Sequence, residues 1–571
     1  MNKQGIIHEI QSSHAYGIRG DRARFVLKAP RNELLDAGFV WVDKYLYERG
    51  ISGKNHLNMR MFAKDHYYDY FEVEVDFTVL NLNYYFVLRD EREILYMGKD
   101  HFYDEEINDP WRMYHLASIF PEDEFKTPSW AAAAIVYQIF PDRFHPGEDD
   151  RNSSIWNGKI SHNTFLGGTL KGIEDNLEYM QDLGVNTIYL TPLFKSSSNH
   201  RYNTTDYYEV DPRLGNKEDL RRLIQEMKRR KIRIVFDFVF NHTGYDFFAF
   251  RDIMEKGESS IYKDWYYIDG FPLKSERGKK PNYKSFGYFY GMPKVNLDHP
   301  EASQYFLDVA KYWVKNFDID GLRMDVADEM SPRFLRSLRE EVRSINPEIL
   351  MIGEIWYDAK AWLKGDCFDT VMNYVFYHGV KELIGKGTMS PEDFLNEIGG
   401  LMGNYKKEVH HLLWNLIGSH DTPRFINEAK YSLKRQKLAV LLQMTMPGVP
   451  MIYYGDEVGM KGGRDPDNRR GMIWEEDKQN SDLLKEYKRL ITLRKNEPLL
   501  VSGSFLVVDQ DLVEDLLVFH RVSKNERISV IVNSGKNKTT VPGMKGRMDL
   551  LENRVIEGEL VVKGLSGAII K

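Results

Sequence analysis

The run "DIDGLRMDVADEM", residues 318–330, sets an arginine and an aspartate, Arg323 and Asp325, inside a short apolar stretch. Read as a strand, Gly321 to Ala327 alternates, with Leu322, Met324 and Val326 on one side and Arg323 and Asp325 on the other. A parallel strand covered on both faces is normally almost continuously apolar. Taking charges out of water costs roughly several kcal/mol per ion, and pairing offsets only part of it. The two charges therefore read as kept for chemistry and not for stability.

Seven other runs share this texture: "AIVYQIF" (134–140), "NTIYLTP" (186–192), "IRIVFDFVFNH" (232–242), "ILMIGEIW" (349–356), "FDTVMNY" (368–374), "LLWNLIGSHD" (412–421) and "VPMIYYGDE" (449–457). Amphipathic helices lie between them. Phe306, Ala310, Trp313 and Phe317 share one helical face, as do Leu220, Leu223, Ile224 and Met227. Eight strands alternating with helices predict a (β/α)8 TIM barrel over residues 123–242 and 299–500. The interval 243–298, with its aromatic "DWYYIDGFP" and "NYKSFGYFYGMPKVN", is too long for a loop and reads as a small excursion domain after the third strand. Period-two runs such as "YFEVEVDFTVL" (70–80) and "NYYFVLRDEREILYMG" (83–98) predict an N-terminal β-sandwich over 1–122, with "FPEDEFKTPSW" (120–130) as linker. The runs "SFLVVDQ", "LLVFHRV", "ISVIVNS" and "GELVVKG" predict a C-terminal antiparallel sandwich over 501–571. The fold class is multidomain α/β.

Composition narrows the function. At 571 residues the chain has room for three or four domains, and 42% hydrophobic with 29% charged residues describes a globular protein. A net charge of -7 offers no basic surface for nucleic acid. No run of eighteen apolar residues predicts a membrane span, and "MNKQGIIHEIQSSHAYG" lacks the core of a signal peptide. The one cysteine, Cys367, cannot form an internal disulfide, which fits a reducing compartment. A cytoplasmic location is expected.

In such barrels the reacting groups come from the C-terminal strand ends. Here those ends carry Asp237 and His242, Arg323 and Asp325, Glu354, and His420 with Asp421. A lone strand-end aspartate is commonly a helix cap; several carboxylates with two histidines and an arginine at one mouth are not explained that way. There is no Cys/His cluster, phosphate-cradling glycine loop or Gly-x-Ser-x-Gly elbow. Carboxylate chemistry remains. Two carboxyls about 5 to 5.5 Å apart hydrolyse an acetal with retention. Arg323 is expected to hold Asp325 ionised, as a nucleophile needs. Ile352, Gly353, Ile355 and Trp356 are expected to give Glu354 the apolar surroundings of a general acid.

The segments "DFVFNH" (237–242), "GLRMDVADE" (321–329), "GEIW" (353–356) and "GSHDTPR" (418–424) resemble, in order and spacing, the conserved segments of the α-amylase family, glycoside hydrolase family 13. The resemblance implies Asp325 as nucleophile, Glu354 as acid/base and Asp421 as the carboxylate stabilising the transition state. It implies that Arg323, His242 and His420 hold the sugar in the innermost subsite, that Asp237 supports the site, and that Tyr202 is the platform beneath the cleaved sugar. "MPKVN" (292–296) resembles the group of neopullulanases, cyclomaltodextrinases and maltogenic amylases, as does an N-terminal starch-binding-like sandwich. In that group Phe286 and Trp356 would line subsites beyond the cleavage point, and Asp465 and Arg469 the non-reducing-end subsites. Implied substrates are cyclodextrins, pullulan and maltooligosaccharides, with transglycosylation, and the implied assembly is a homodimer through the N-terminal domain. Rival readings are an exo-acting α-glucosidase of the same clan and a non-catalytic glycan-binding protein.

Two departures fall on the acceptor side: Asp328 replaces the usual Asn, and Pro423 a common Glu. A third concerns calcium, which the resemblance places after the first barrel strand. The loop "FHPGEDDRNSSIW" (144–156) has Pro146 and Arg151 where amide ligands would stand, and Gly167-Gly168-Thr169 lacks the group's aspartate. No cofactor and no metal are expected, although Glu148, Asp149, Asp150 and Asn152 could improvise a site.

Overall fold

The computed structural model describes residues 1–77, 81–117, 119–120, 124–147, 156, 158–276, 278–507 and 515–571. The expected 122/123 boundary and the loop residues Glu148, Asp149, Asp150, Arg151 and Asn152 lie outside these.

Each of the eight apolar runs contains a short strand: β1 Val136–Ile139, β2 Thr187–Leu190, β3 Arg233–Phe238, β4 Gly321–Met324, β5 Leu350–Gly353, β6 Thr370–Val371, β7 Trp414–Leu416 and β8 Val449–Tyr453. They pair in parallel in the order β6-β5-β4-β3-β2-β1-β8-β7. A parallel bridge from Met372 to Trp414 joins the two ends and closes the barrel. Closure removes the sheet edges that an open sheet would expose.

The helices form where local sequence asks for them. Helix α1, Lys217–Arg229, begins at a reciprocal capping box between Asn216 and Asp219, and buries Leu220, Leu223, Ile224 and Met227. Helix α2, Pro300–Phe317, starts with a proline in its first turn and stops at Asp318 in the left-handed conformation. Its expected stripe of Phe306, Ala310, Trp313 and Phe317 is buried. No described helix is long and apolar enough to cross a membrane.

After β3 the chain leaves the barrel and is held by isolated bridges rather than a sheet. His242 pairs with Lys294 and Tyr266 with Val295, so the excursion is clipped at its base. Phe247, Phe250, Trp265, Tyr266 and Tyr283 are its buried aromatic filling. The N-terminal residues form a four-stranded and a six-stranded sheet, and the C-terminal residues a six-stranded and a two-stranded one.

Helix α3, Pro391–Asn404, joins the barrel to the N-terminal sandwich. Its Gly399 and Gly403 fall on one face, four residues apart. A Cβ at Gly399 would collide with the Lys64 carbonyl, and one at Gly403 with the Tyr70 ring. Gly400, one position on, meets only Asp65 at 3.5 Å. Gly399→Ala is therefore expected to destabilise the protein by about 1–3 kcal/mol through overpacking. Gly400→Ala should be neutral or slightly stabilising. Thermal or denaturant midpoints of the two variants side by side check this, and equal midpoints would contradict it.

Candidate active site

Strand β4 ends at Met324, three residues before the expected alternation is complete. The Asp325 N–H donates to Phe238 O of β3 (3.0 Å), and Val326 then turns into the left-handed region at φ 47. The alternation expected to carry through Val326 stops there. A β-branched residue in that region is a genuine outlier. The turn aims the Val326 N–H at Glu354 Oε2 (2.9 Å), while the Ala327 N–H reaches Glu354 O (3.1 Å). The loop after β4 thus grips the end of β5.

Arg323 is fully buried and serves three carboxylates. Its Nη1 lies 2.8 Å from Asp237 Oδ1 and 2.9 Å from Asp325 Oδ1, and its Nη2 lies 2.9 Å from Glu354 Oε2. Asp237 Oδ2 also accepts from the hydroxyls of Tyr189 (2.6 Å) and Tyr202 (2.8 Å). One cation cannot neutralise three anions. Burial, with the Glu354 and Asp237 charges beside it, pushes Asp325 well above the usual carboxylate range, and Arg323 only partly opposes this. Asp237 is pushed up to about 6 by burial against the pull of Arg323 and the two tyrosines. Arg323 is thus not the private counter-ion expected for Asp325, because the guanidinium is shared. Glu354 does not sit among apolar neighbours alone. Besides Arg323 and the Val326 N–H, the Trp356 indole donates to its Oε1 (3.0 Å).

A cavity of about 1030 Å³ opens above this cluster, and Asp325, Glu354 and Asp421 all line it. Its walls include Tyr202, His242, Phe286, Trp356, Asp465 and Arg469. Phe286 stacks on His242 (5.0 Å, 15°) and Trp356 on Tyr374 (4.0 Å, 8°), so two flat apolar faces are braced from behind. Trp356 is 42% exposed despite its size. Arg469 bridges Asp421 (3.3 Å) and Asp465 (3.2 Å). Asp421 is raised by burial, which Arg469 and Arg323 oppose. Asp237, Arg323 and His420 lie behind the wall, each at most 1% exposed. The Tyr202 ring lies parallel to His420 at 5.3 Å, and its hydroxyl meets His420 Nε2 at 2.5 Å. A second cavity, of about 550 Å³, lies between the N-terminal sandwich and the barrel and holds none of these carboxylates.

Several residues of the site escaped the sequence reading. Asn468 donates to the backbone carbonyls of His420 (2.7 Å) and Thr422 (2.9 Å), holding the loop after β7. Lys294 bridges Asn241 and Glu329, tying the excursion to the loop after β4. Gln138, fully buried in β1, touches His420. Its signal was present, since it is the one amide in "AIVYQIF". Among the described residues no group of three or more His, Cys, Asp or Glu could hold a metal ion.

Buried ionisable groups give a pH dependence. Burial pushes His8 and His520 down to about 4, and His14, His200, His242 and His411 down to about 3. Their stabilisation is complete above the unfolded value near 6.5 and is lost as pH falls toward 3 or 4. Asp237 and Asp456, raised to about 6, and Glu457, raised to about 7, work the other way and favour folding as pH falls through those values. His410 and His420 are lowered as well and Asp325 is raised as well, so eight imidazoles stand against four strongly raised carboxyls. The melting midpoint should fall between pH 7 and pH 5; a midpoint that rises over that range in a calorimetric series would refute this balance.

Comparison with known proteins agrees with the geometry. Residues 138–503 match the family described as alpha amylase, catalytic domain, and residues 1–119 the alpha amylase N-terminal ig-like domain. Neopullulanase 2 of Thermoactinomyces vulgaris is 39% identical, covering 97% of this chain and 96% of its own. The intracellular maltogenic amylase of Bacillus subtilis (strain 168) is 36% identical over 94% of this chain and 92% of its own. A solved structure titled cyclomaltodextrinase superposes with a TM-score of 0.94 at 34% identity, covering all of both chains. With a buried carboxylate cluster at the mouth of a closed barrel and a catalytic-domain match over most of its length, the chain belongs to the α-amylase family of glycoside hydrolases.

Proposed function

We propose that this enzyme cleaves α-1,4-glucosidic bonds in cyclodextrins, pullulan and maltooligosaccharides with retention of configuration, and transfers sugar to acceptors as a side reaction. The observation that carries the reading is that Asp325 and Glu354 sit on the two terminal nitrogens of one guanidinium beneath an oligosaccharide-sized cavity. Inversion needs a gap of about 6.5–9.5 Å to admit water; a shared guanidinium favours the shorter, retaining separation. The names neopullulanase and cyclomaltodextrinase, borne by relatives matched over nearly the whole chain, support the substrate class.

In this reading Asp325 attacks the anomeric carbon while Glu354 gives its proton to the leaving oxygen. Glu354 then takes a proton from the water that releases the sugar. Arg323 spans the two carboxyls and sets its positive charge beside Asp325 as that residue attacks. Asp421, aligned by Arg469 and His420, would bind the sugar hydroxyls as the ring flattens. Phe286 and Trp356 present flat faces to sugars on the acceptor side, with Asp465 and Arg469 on the other.

Asp325→Asn should reduce turnover of β-cyclodextrin by several orders of magnitude with an unchanged fold, each tenfold being about 1.4 kcal/mol of barrier. Glu354→Gln should lose far more on cyclodextrin than on aryl glycosides whose leaving groups need no proton. Rates with both substrates decide the assignment. Activity above a few per cent in the first variant, or equal losses in the second, would remove it.

We further propose a homodimer through the N-terminal sandwich, in the reducing cytoplasm. Tyr45, Ile51, Leu57 and Trp111 are exposed apolar side chains of that sandwich, Trp111 at 80%. The lone Cys367 and the relative named intracellular support the compartment. Sedimentation should give a dimer at micromolar concentration, and deletion of residues 1–122 a monomer with relatively more activity on starch. A full-length monomer would end the idea.

Calcium independence is proposed on the same footing. Thr169, where the resemblance implies an aspartate ligand, caps a helix by accepting from Gly172 N (3.0 Å), and Asp142 is already paired with Arg143 (2.8 Å). EDTA treatment followed by removal of the chelate should leave activity and melting midpoint unchanged. A loss restored by calcium and not by magnesium would show a bound ion.

A further inference from the structure

We propose that Gln138 is a positioning residue of this site, which fixes His420 in the tautomer that turns its Nε2–H toward Asp421. Gln138 lies in β1, 282 residues before His420, and both are fully buried. Its side-chain nitrogen is 2.8 Å from His420 Nδ1. On the other edge of the ring, Nε2 lies 2.5 Å from the Tyr202 hydroxyl and 3.0 Å from Asp421 Oδ2.

The proton positions follow from what each partner can do. The Tyr202 hydroxyl has one proton and lies 2.8 Å from Asp237 Oδ2, a carboxylate and so the stronger acceptor. With that proton committed, the phenol oxygen can only accept from His420. The Asp421 carboxylate can also only accept. Both contacts on this edge require a hydrogen on Nε2. A neutral imidazole carries one N–H, so Nδ1 is bare and needs a donor, which the Gln138 amide supplies. Burial and the nearby Arg469 and Arg323 charges hold the ring neutral by pushing its pKa well below the usual value.

The orientation has a cost that marks it. Gln138 Oε1 is buried without a hydrogen-bond partner. Flipping the amide would aim this oxygen at the bare Nδ1, two acceptors face to face. An unpaired buried oxygen is expensive, and here it accompanies the one orientation that holds the ring. His420 in turn keeps the Asp421 carboxylate directed into the cavity. The catalytic consequence rests on the proposed role of Asp421; the tautomer does not.

The test uses the full-length protein with 15N-labelled histidine and β-cyclodextrin as substrate. In the wild type the His420 imidazole shifts should show a bare Nδ1 and protonated Nε2. In Gln138→Glu, which accepts but cannot donate, His420 should become imidazolium at neutral pH. The pH–rate profile should then gain an ionisation between about pH 6 and 9. Its kcat should fall roughly 10- to 100-fold with KM changed by less than about threefold, because a cationic ring now stands 3.0 Å from the Asp421 carboxylate. Gln138→Met, matched in length, should show mixed tautomers and a smaller fall in kcat. A wild-type ring protonated on Nδ1, or unchanged shifts and profile in Gln138→Glu, overturns the inference. A wild type inactive on α-glucans would instead remove the functional reading, with the tautomer measured independently.

Discussion

The mouth of this barrel is organised around one buried guanidinium. Arg323 lies within 3 Å of Asp237, Asp325 and Glu354 and is shared by all three. The arrangement is poor in purely energetic terms, because each buried ion carries a desolvation penalty of roughly several kcal/mol. Its value lies in the excess of negative charge. Three carboxylates around one cation raise Asp325 and Asp237 together, so the cluster holds a proton that isolated surface carboxylates would release. A reaction that must give up and recover a proton while another carboxylate attacks draws on that excess.

Strand register puts these groups together. Arg323 is paired across β4 with Asp237 of β3 and Ile352 of β5, so both neighbouring strands end beside it. Glu354 then follows β5 by one residue, and Asp325 follows β4 by one. The left-handed Val326 completes the link through its N–H to Glu354, at a backbone cost of about 1–3 kcal/mol. Strain of this kind persists only where the surroundings over-determine it. Here the Lys294 bridge and the clipped base of the excursion supply the constraint from outside the barrel.

Aromatic residues do two jobs that composition alone cannot separate. Phe306, Trp313 and Phe317 fill space between helix and barrel. Phe286 and Trp356 line the cavity, each backed by a second ring, His242 or Tyr374. A braced ring keeps its face open to a ligand without losing rotamer freedom on binding. The backing of Trp356 also fixes its indole N–H on Glu354, so the same side chain that shapes the cavity orients a carboxyl.

The amino-acid sequence by itself determined the closed barrel, the helical faces and the family, because apolar periodicity and motif spacing are local properties of the chain. Leu220, Leu223, Ile224 and Met227 are buried for the reason their spacing announces. The carboxylates and their strand ends were legible for the same reason. The partners were not. Arg323 looked like the private counter-ion of Asp325 because the two lie two residues apart on one side of the expected strand, and Glu354 looked apolar because its chain neighbours are. Tertiary structure decided otherwise, by turning Val326 out of the strand and bringing Asp237 from 86 residues away onto the same guanidinium. It also set Gln138 against His420 across 282 residues. Periodicity reports which side of an element is dry, but the protonation of a buried group depends on charges and donors gathered from distant strands, and only the folded barrel gathers them.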